Sequence, residues 1–135
     1  HDSLSHEGRG APIGSTGMVY SAFRPSDDAC VYGYLIPANL FFSSELDKLK
    51  FDGFEKQVAQ LVAEIEKGVR EYGVINGRFA YEVDGLGNAL FIDDANVPSL
   101  LSLPYLEVLS SDNSEYQNTR SFALSEKNPY FYRVF

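Results

Sequence analysis

The chain has no tryptophan, one methionine, one cysteine and two histidines in 135 residues. The lone Cys30 rules out an internal disulfide and a zinc site built on cysteines, and it reads as a small packed apolar residue. His1 and His6 share the polar start and have no helical pairing for zinc. Basic residues are scarce. Eleven Lys and Arg stand against nineteen Asp and Glu, giving a net charge of −8. That balance disfavours nucleic acid and anionic membrane as partners, because phosphate contacts draw on Lys and Arg. No apolar run reaches the ~18 residues of a membrane-spanning helix. A Gly-x-Ser-x-Gly elbow is missing. Gly85-Leu86-Gly87 lacks the third glycine of a dinucleotide loop and follows a hairpin pattern, so no cofactor is expected. The start, His1-Asp2-Ser3, has no initiator Met and no leader pattern, which reads as an excerpt or a processed product.

What is abundant is aromatic: nine Tyr and ten Phe. Most should fill a core. Some tyrosines can line a polar pocket, since the ring packs while the hydroxyl bonds. With 44% hydrophobic residues and this length, one domain or part of one is expected.

Along the chain, residues 1–17 are glycine-rich loop, and 18–23 a short extended apolar run. The pattern predicts a helix over 27–49, with Ser26 as N-cap, Asp27 and Asp28 in its first turn, and a bend or split at Pro37. The clearest helix is 51–72. Phe51, Phe54, Val58, Leu61, Val62, Ile65, Val69 and Tyr72 fall on one face, Glu66 and Arg70 can pair one turn apart, and Gly73 is the stop. Asn76-Gly77 signals a hairpin, and 84–88 a tight turn leading to a second short strand at 89–92. A short helix is expected over 99–109, kinked at Pro104. Residues 110–118 read as loop, with one more helical turn at 119–124 and an aromatic tail Tyr130-Phe131-Tyr132. The whole is mainly α with a small β-hairpin excursion. Such a set forms a layer or arc whose apolar faces need further chain to cover them.

Three acidic clusters stand at element ends: Asp27/Asp28, Glu82/Asp84 and Asp93/Asp94. Adjacent carboxylates repel, and burial disfavours their charge, so one of Asp27 and Asp28 could keep its proton as a general acid. A helix dipole would oppose this. The plain alternative is that all three clusters cap helices and turns. Carboxylates and amides among aromatics also suit a sugar, whose hydroxyls want polar partners and whose apolar face wants a ring. Asp84, Asn88, Asp93 and Asp94 could offer oxygens to a hard cation, but their spacing fits no EF-hand loop.

Several motifs, taken together, resemble glycoside hydrolase family 125. They are Phe23-Arg24-Pro25-Ser26-Asp27-Asp28-Ala29-Cys30, Tyr32-Gly33-Tyr34-Leu35-Ile36-Pro37-Ala38-Asn39, Tyr81-Glu82-Val83-Asp84-Gly85-Leu86-Gly87-Asn88, Asp93-Asp94-Ala95-Asn96-Val97-Pro98-Ser99-Leu100-Leu101, Tyr116-Gln117-Asn118-Thr119-Arg120 and Asn128-Pro129-Tyr130. They recur in order over nearly the whole chain. The resemblance implies a segment of an (α/α)6 toroid, with residues 1–135 forming one partial catalytic domain. It implies an inverting, metal-independent exo-α-1,6-mannosidase acting on mannose-containing glycans, with no cofactor. It places the general acid in Arg24-Pro25-Ser26-Asp27-Asp28 and leaves both aspartates open; Asp28 is the preferred one, with Asp27 as its neighbour and a candidate sugar ligand. Arg24, Asp84, Asn88, Asp93, Asp94 and Asn96 are then expected to line the terminal-mannose subsite. The toroid needs more helices than this chain offers. The family's base is a glutamate that would lie beyond Phe135, so the remainder of the same domain is an expected partner. The alternative is a mannose-binding or structural helical fragment that does not turn over.

Overall fold

The computed structural model describes residues 4–49 and 51–131. His1, and Tyr132 of the aromatic tail, lie outside the described residues. Chain order is α1 (Ser5–Gly8), β1 (Tyr34–Leu35), α2 (Ile36–Lys48), α3 (Glu55–Gly68), a π-helical turn (Val69–Gly73), β2 (Val74–Ile75), β3 (Arg78–Phe79), β4 (Glu82–Val83), β5 (Ala89–Leu90) and α4 (Ser114–Ala123). Inside α1, His6 and Glu7 adopt positive φ, so the glycine-rich start is a turn within loop, as its composition suggests.

The described residues mix helices with two small sheets, which is more β structure than the single excursion expected. β1, β4 and β5 form an antiparallel sheet with β4 in the middle, and β2 pairs with β3. The second pairing is the hairpin signalled by Asn76-Gly77. Both residues have positive φ (53° and 74°), the backbone a two-residue turn of this hand requires. The 84–88 turn joins β4 to β5, in register Glu82↔Leu90 and Val83↔Ala89.

The helix expected over 27–49 begins only at Ile36. Pro37 is therefore not a kink. It sits in the first turn, where its missing N–H costs nothing. Upstream, Tyr34 and Leu35 are drawn into pairing with Val83 and Glu82. The expected helix over 51–72 is α3 plus the π-helical turn. Val62, Ile65 and Val69 are buried, while Phe51 and Phe54 precede the helix and are exposed. Arg70 pairs with Glu115 of α4, and Ser43 Oγ donates to Glu66 Oε1 at 3.5 Å.

Residues 99–109 form consecutive turns in place of the expected kinked helix. Pro104 removes a donor, Glu107 takes a positive φ of 60°, and the amides of Leu100 and Leu101 are claimed by the Asp93 carboxylate. The last helix is longer than one turn. α4 starts at Ser114, capped by Asn113, whose side chain accepts the Tyr116 amide at 2.9 Å. The core runs through Leu35, Ile36, Ile65, Val69, Phe79, Tyr81, Val83, Leu100 and Leu103. Tyr81 and Val83, on either side of Glu82, belong to it, and Glu82 is fully buried between them.

Candidate active site

Glu82 is fully buried at the centre of the three-stranded sheet. A carboxylate there needs partners for both oxygens. Oε2 accepts from Arg24 Nε, and Oε1 accepts the backbone amides of Val31 at 2.8 Å and Tyr32 at 3.0 Å. Arg24 is buried as well. Its guanidinium carbon stands 5.5 Å from the centroid of the Tyr81 ring, and Nη1 donates to the Tyr130 hydroxyl at 3.4 Å. Burial would lower the Arg24 pKa, but Glu82 reverses this and holds it above the ordinary value.

Between these anchored ends the chain makes a tight turn, not a helix start. The Arg24 amide donates to the Asp28 carbonyl at 2.8 Å, and the Asp27 amide donates to the Arg24 carbonyl at 2.9 Å. Phe23 bridges Ala29, and the Cys30 amide donates to the Ala22 carbonyl at 2.9 Å. Asp27 occupies the left-handed region (φ 68°) and is exposed. Asp28 is half-buried and accepts the Ser26 hydroxyl on Oδ2 at 3.1 Å. Ser26 therefore serves a side chain and not a helix N-terminus, and Asp27 and Asp28 lie in no helical first turn. Cys30 is half-buried, and its thiol is pushed up to about 12 by burial and by the Glu82 charge, which makes it inert.

A second pair of carboxylates meets this turn. Asp93 is buried and caps the next segment, with Oδ1 accepting the Leu100 amide at 2.8 Å and Oδ2 the Leu101 amide at 3.0 Å. Burial pushes its carboxyl up to about 6 despite those bonds, and the neighbouring Asp94 adds to the rise. Asp94 Oδ1 accepts the Asn96 amide at 3.0 Å and Asn96 Nδ2 at 2.8 Å. Burial opposes its charge, yet the bonds from Asn96 and the Ala95 amide, with the Ser26 hydroxyl close by, hold its carboxyl below the usual range. Ser26 thus stands between Asp28 and Asp94. The Tyr81 hydroxyl is buried with no hydrogen-bond partner among the described residues, and burial and nearby Asp94 push its pKa up. A cavity of about 270 Å3 opens beside Asp93 and Asp94, walled by Leu101, Asn128, Tyr130 and Phe131.

The structure therefore links Arg24, Asp28, Asp94 and Asn96 into one group, with Asp93 beside it and Asp27 at its exposed corner. Asp84 and Asn88 occupy the turn between β4 and β5. Asp84 Oδ1 accepts the amides of Leu86 at 2.8 Å and Asn88 at 3.0 Å, and Oδ2 accepts Asn88 Nδ2 at 2.6 Å. Those bonds, against burial, hold the Asp84 carboxyl low. Sequence reasoning quoted Tyr81, Asn128 and Tyr130 within the family motifs but gave them no site role, and it gave Glu82 none beyond a place in an acidic cluster. The signal for Glu82 was present: a charge inside the apolar run Phe79-Ala80-Tyr81-Glu82-Val83 demands a buried partner. Among the described residues no three His, Cys, Asp or Glu side chains are grouped to hold a metal ion.

Comparison with known proteins places this geometry. The family model for metal-independent α-mannosidases, GH125, matches residues 1–134. The meiotically up-regulated gene 157 protein of Schizosaccharomyces pombe is 44% identical over 144 residues, covering 96% of this chain and 28% of the relative. A solved Streptococcus pneumoniae structure, from a family of metal-independent α-mannosidases that bear on N-linked glycan processing, matches with TM-score 0.84 at 43% identity. It is a non-productive complex with α-1,6-mannobiose, and the match covers 99% of this chain and 35% of that one. The chain spans well under half the length of either protein.

Proposed function

The chain belongs to the metal-independent α-mannosidase family GH125, and from that premise we propose that it is the acid-bearing part of an inverting exo-α-1,6-mannosidase, built within an (α/α)6 toroid. Residues 1–135 then form one partial catalytic domain, completed by the remainder of that domain. The observation that carries this reading is the joint at Ser26, whose hydroxyl bonds the Asp28 carboxylate and lies beside Asp94, itself a lining residue of the aromatic-walled cavity. The α-1,6-mannobiose in the solved neighbour supports the substrate class.

In this mechanism Asp28 gives its proton to the glycosidic oxygen as the C1–O bond breaks. Water adds to C1 from the opposite face and passes its proton to a second carboxylate. The two carboxyl groups should stand about 6.5–9.5 Å apart to admit that water. Asp27 and Asp28 are chain neighbours and cannot hold both positions, so the base is another carboxylate; the resemblance to the family puts it at a glutamate beyond Phe135. Asp28 is preferred as the acid because it is half-buried and held by Ser26, whereas Asp27 is exposed. Arg24, Asp93, Asp94 and Asn96 form the polar wall for the terminal mannose. Asp84 and Asn88 are assigned to the same wall through the turn they shape.

The test is proton NMR of 1,6-linked α-mannobiose with the full-length protein and a chelator present. β-Mannose as the first anomer released supports the proposal. Asp28→Asn should then lower turnover by roughly 10²–10⁴-fold, and Asp27→Asn by less. α-Mannose as the first anomer removes the inverting mechanism. Broadened substrate resonances without cleavage move the reading to a mannose-binding module.

A further inference from the structure

We infer that Glu82 is a positioning residue for the general acid: its buried carboxylate clamps both ends of the 24–32 loop and so fixes where Asp28 delivers its proton. This rests on the assignment of Asp28 as the acid. Two features make the clamp specific. One oxygen holds the entering end, through Arg24 Nε, and the other holds the leaving end, through the amides of Val31 and Tyr32. Glu82 itself belongs to the middle strand of a sheet, paired on one side with β1 and on the other with β5, so its backbone is a rigid base. Within the loop the chain is closed again by the Arg24 amide on the Asp28 carbonyl and by Ser26 on the Asp28 carboxylate. Moving either anchor therefore moves Asp28. A fully buried side chain cannot reach substrate, so any effect of Glu82 on chemistry must pass through the loop.

The chemistry of the clamp defines the informative variant. The groups facing Glu82 are donors: the N–H groups of Arg24, Val31 and Tyr32, with the Cys30 thiol beside them. Glu82→Gln keeps shape and size but turns an NH2 toward one of them, donor against donor, and frees one end of the loop. A displacement on the order of 1 Å at a reacting group can cost ~10²-fold in rate.

The experiment compares two substrates in the full-length protein. α-1,6-Mannobiose needs its leaving oxygen protonated. α-Mannosyl fluoride does not, because fluoride departs without general-acid help. Glu82→Gln is expected to lower kcat on mannobiose by roughly 10²-fold while kcat on the fluoride stays within about tenfold of wild type, any loosening of Arg24 against the terminal mannose appearing as a raised KM on both substrates, with Asp28→Asn as the reference for a lost acid. Fluoride turnover also reports that the variant is folded. Should Glu82→Gln fail to fold, Glu82→Asp, which withdraws the carboxylate by one methylene, is read the same way. Equal losses on both substrates, or no loss on mannobiose, overturn the positioning role while the Asp28 reference keeps its selective loss. If Asp28→Asn itself shows no selectivity between the substrates, the assignment of the acid falls, and the positioning role falls with it.

Discussion

Arg24 and Glu82 form an ion pair that solvent barely touches, with side-chain exposures of 6% and 0%. Such a pair gives little net stability over a well-packed apolar pair, yet losing one partner strands the other charge. Glu82→Leu and Arg24→Met should each destabilise the protein by about 3–5 kcal/mol, whereas the double variant should recover much of that loss. Urea denaturation of the three proteins reads this directly. Additive losses would show that the pair is not energetically coupled.

Asp93 should make stability depend on pH. Its folded pKa, about 6, lies above the ordinary value of 3.8. The folded state therefore holds the proton more tightly than the unfolded chain. This contribution is fully present below about pH 3.8 and is lost as pH rises through 6, a change on the order of 2–3 kcal/mol. Asp93→Asn should flatten that part of the profile, as followed by denaturation midpoints between pH 4 and 7. It should also weaken the fold at low pH, because one of the two amide bonds is lost.

Gly68 lies at the end of α3, where alanine would ordinarily be favoured by about 1 kcal/mol. Here a Cβ would overlap the Thr16 carbonyl oxygen and press on Met18 Cγ at 2.9 Å. Gly68→Ala is expected to reverse the usual sign and cost about 2 kcal/mol. A rise in melting temperature would refute the close approach of 16–18 to this helix.

Asn128 ties the tail to the acidic segment. Its Oδ1 accepts the amides of Asp93 at 3.1 Å and Tyr130 at 3.2 Å, while Nδ2 donates to the carbonyls of Asp93 at 3.3 Å and Ala123 at 3.0 Å. Asn128→Asp faces a carboxylate oxygen onto two carbonyls and should cost more than Asn128→Ala. Both should lose at least about 2 kcal/mol, since buried polar groups are left unpaired. Equal stability of the two variants would contradict this arrangement.

Local physics explains which parts of the fold could be read from sequence. The hairpin at Asn76-Gly77, the 84–88 turn and the apolar stripe through Val62, Ile65 and Val69 are set by neighbours in the chain, and they were legible. The 27–35 stretch was not. Its residues could start a helix, but β4 offers Tyr34 and Leu35 a strand to join, and the buried Glu82 takes the amides of Val31 and Tyr32. Residues 99–109 were lost to the Asp93 carboxylate in the same way. Asn113 was a readable cap that was passed over. In the site, the motif residues Arg24, Asp28, Asp94 and Asn96 do come together. Glu82 stood out as a charge within an apolar run, but its pairing with Arg24, 58 residues away, leaves no local pattern.

That separation also orders events during synthesis. Between Arg24 and Glu82 lie α2, α3, the π-helical turn and the β2–β3 hairpin, all stabilised largely by near neighbours. A nascent chain that has emerged only as far as Gly73 can dock α2 on α3, but it has no anchor for the 24–32 loop. The loop stays open until β4 leaves the ribosome and its carboxylate arrives. Closure over such a span carries a larger entropy cost than the local contacts before it. The 24–32 turn is thus assembled late, after the scaffold that surrounds it.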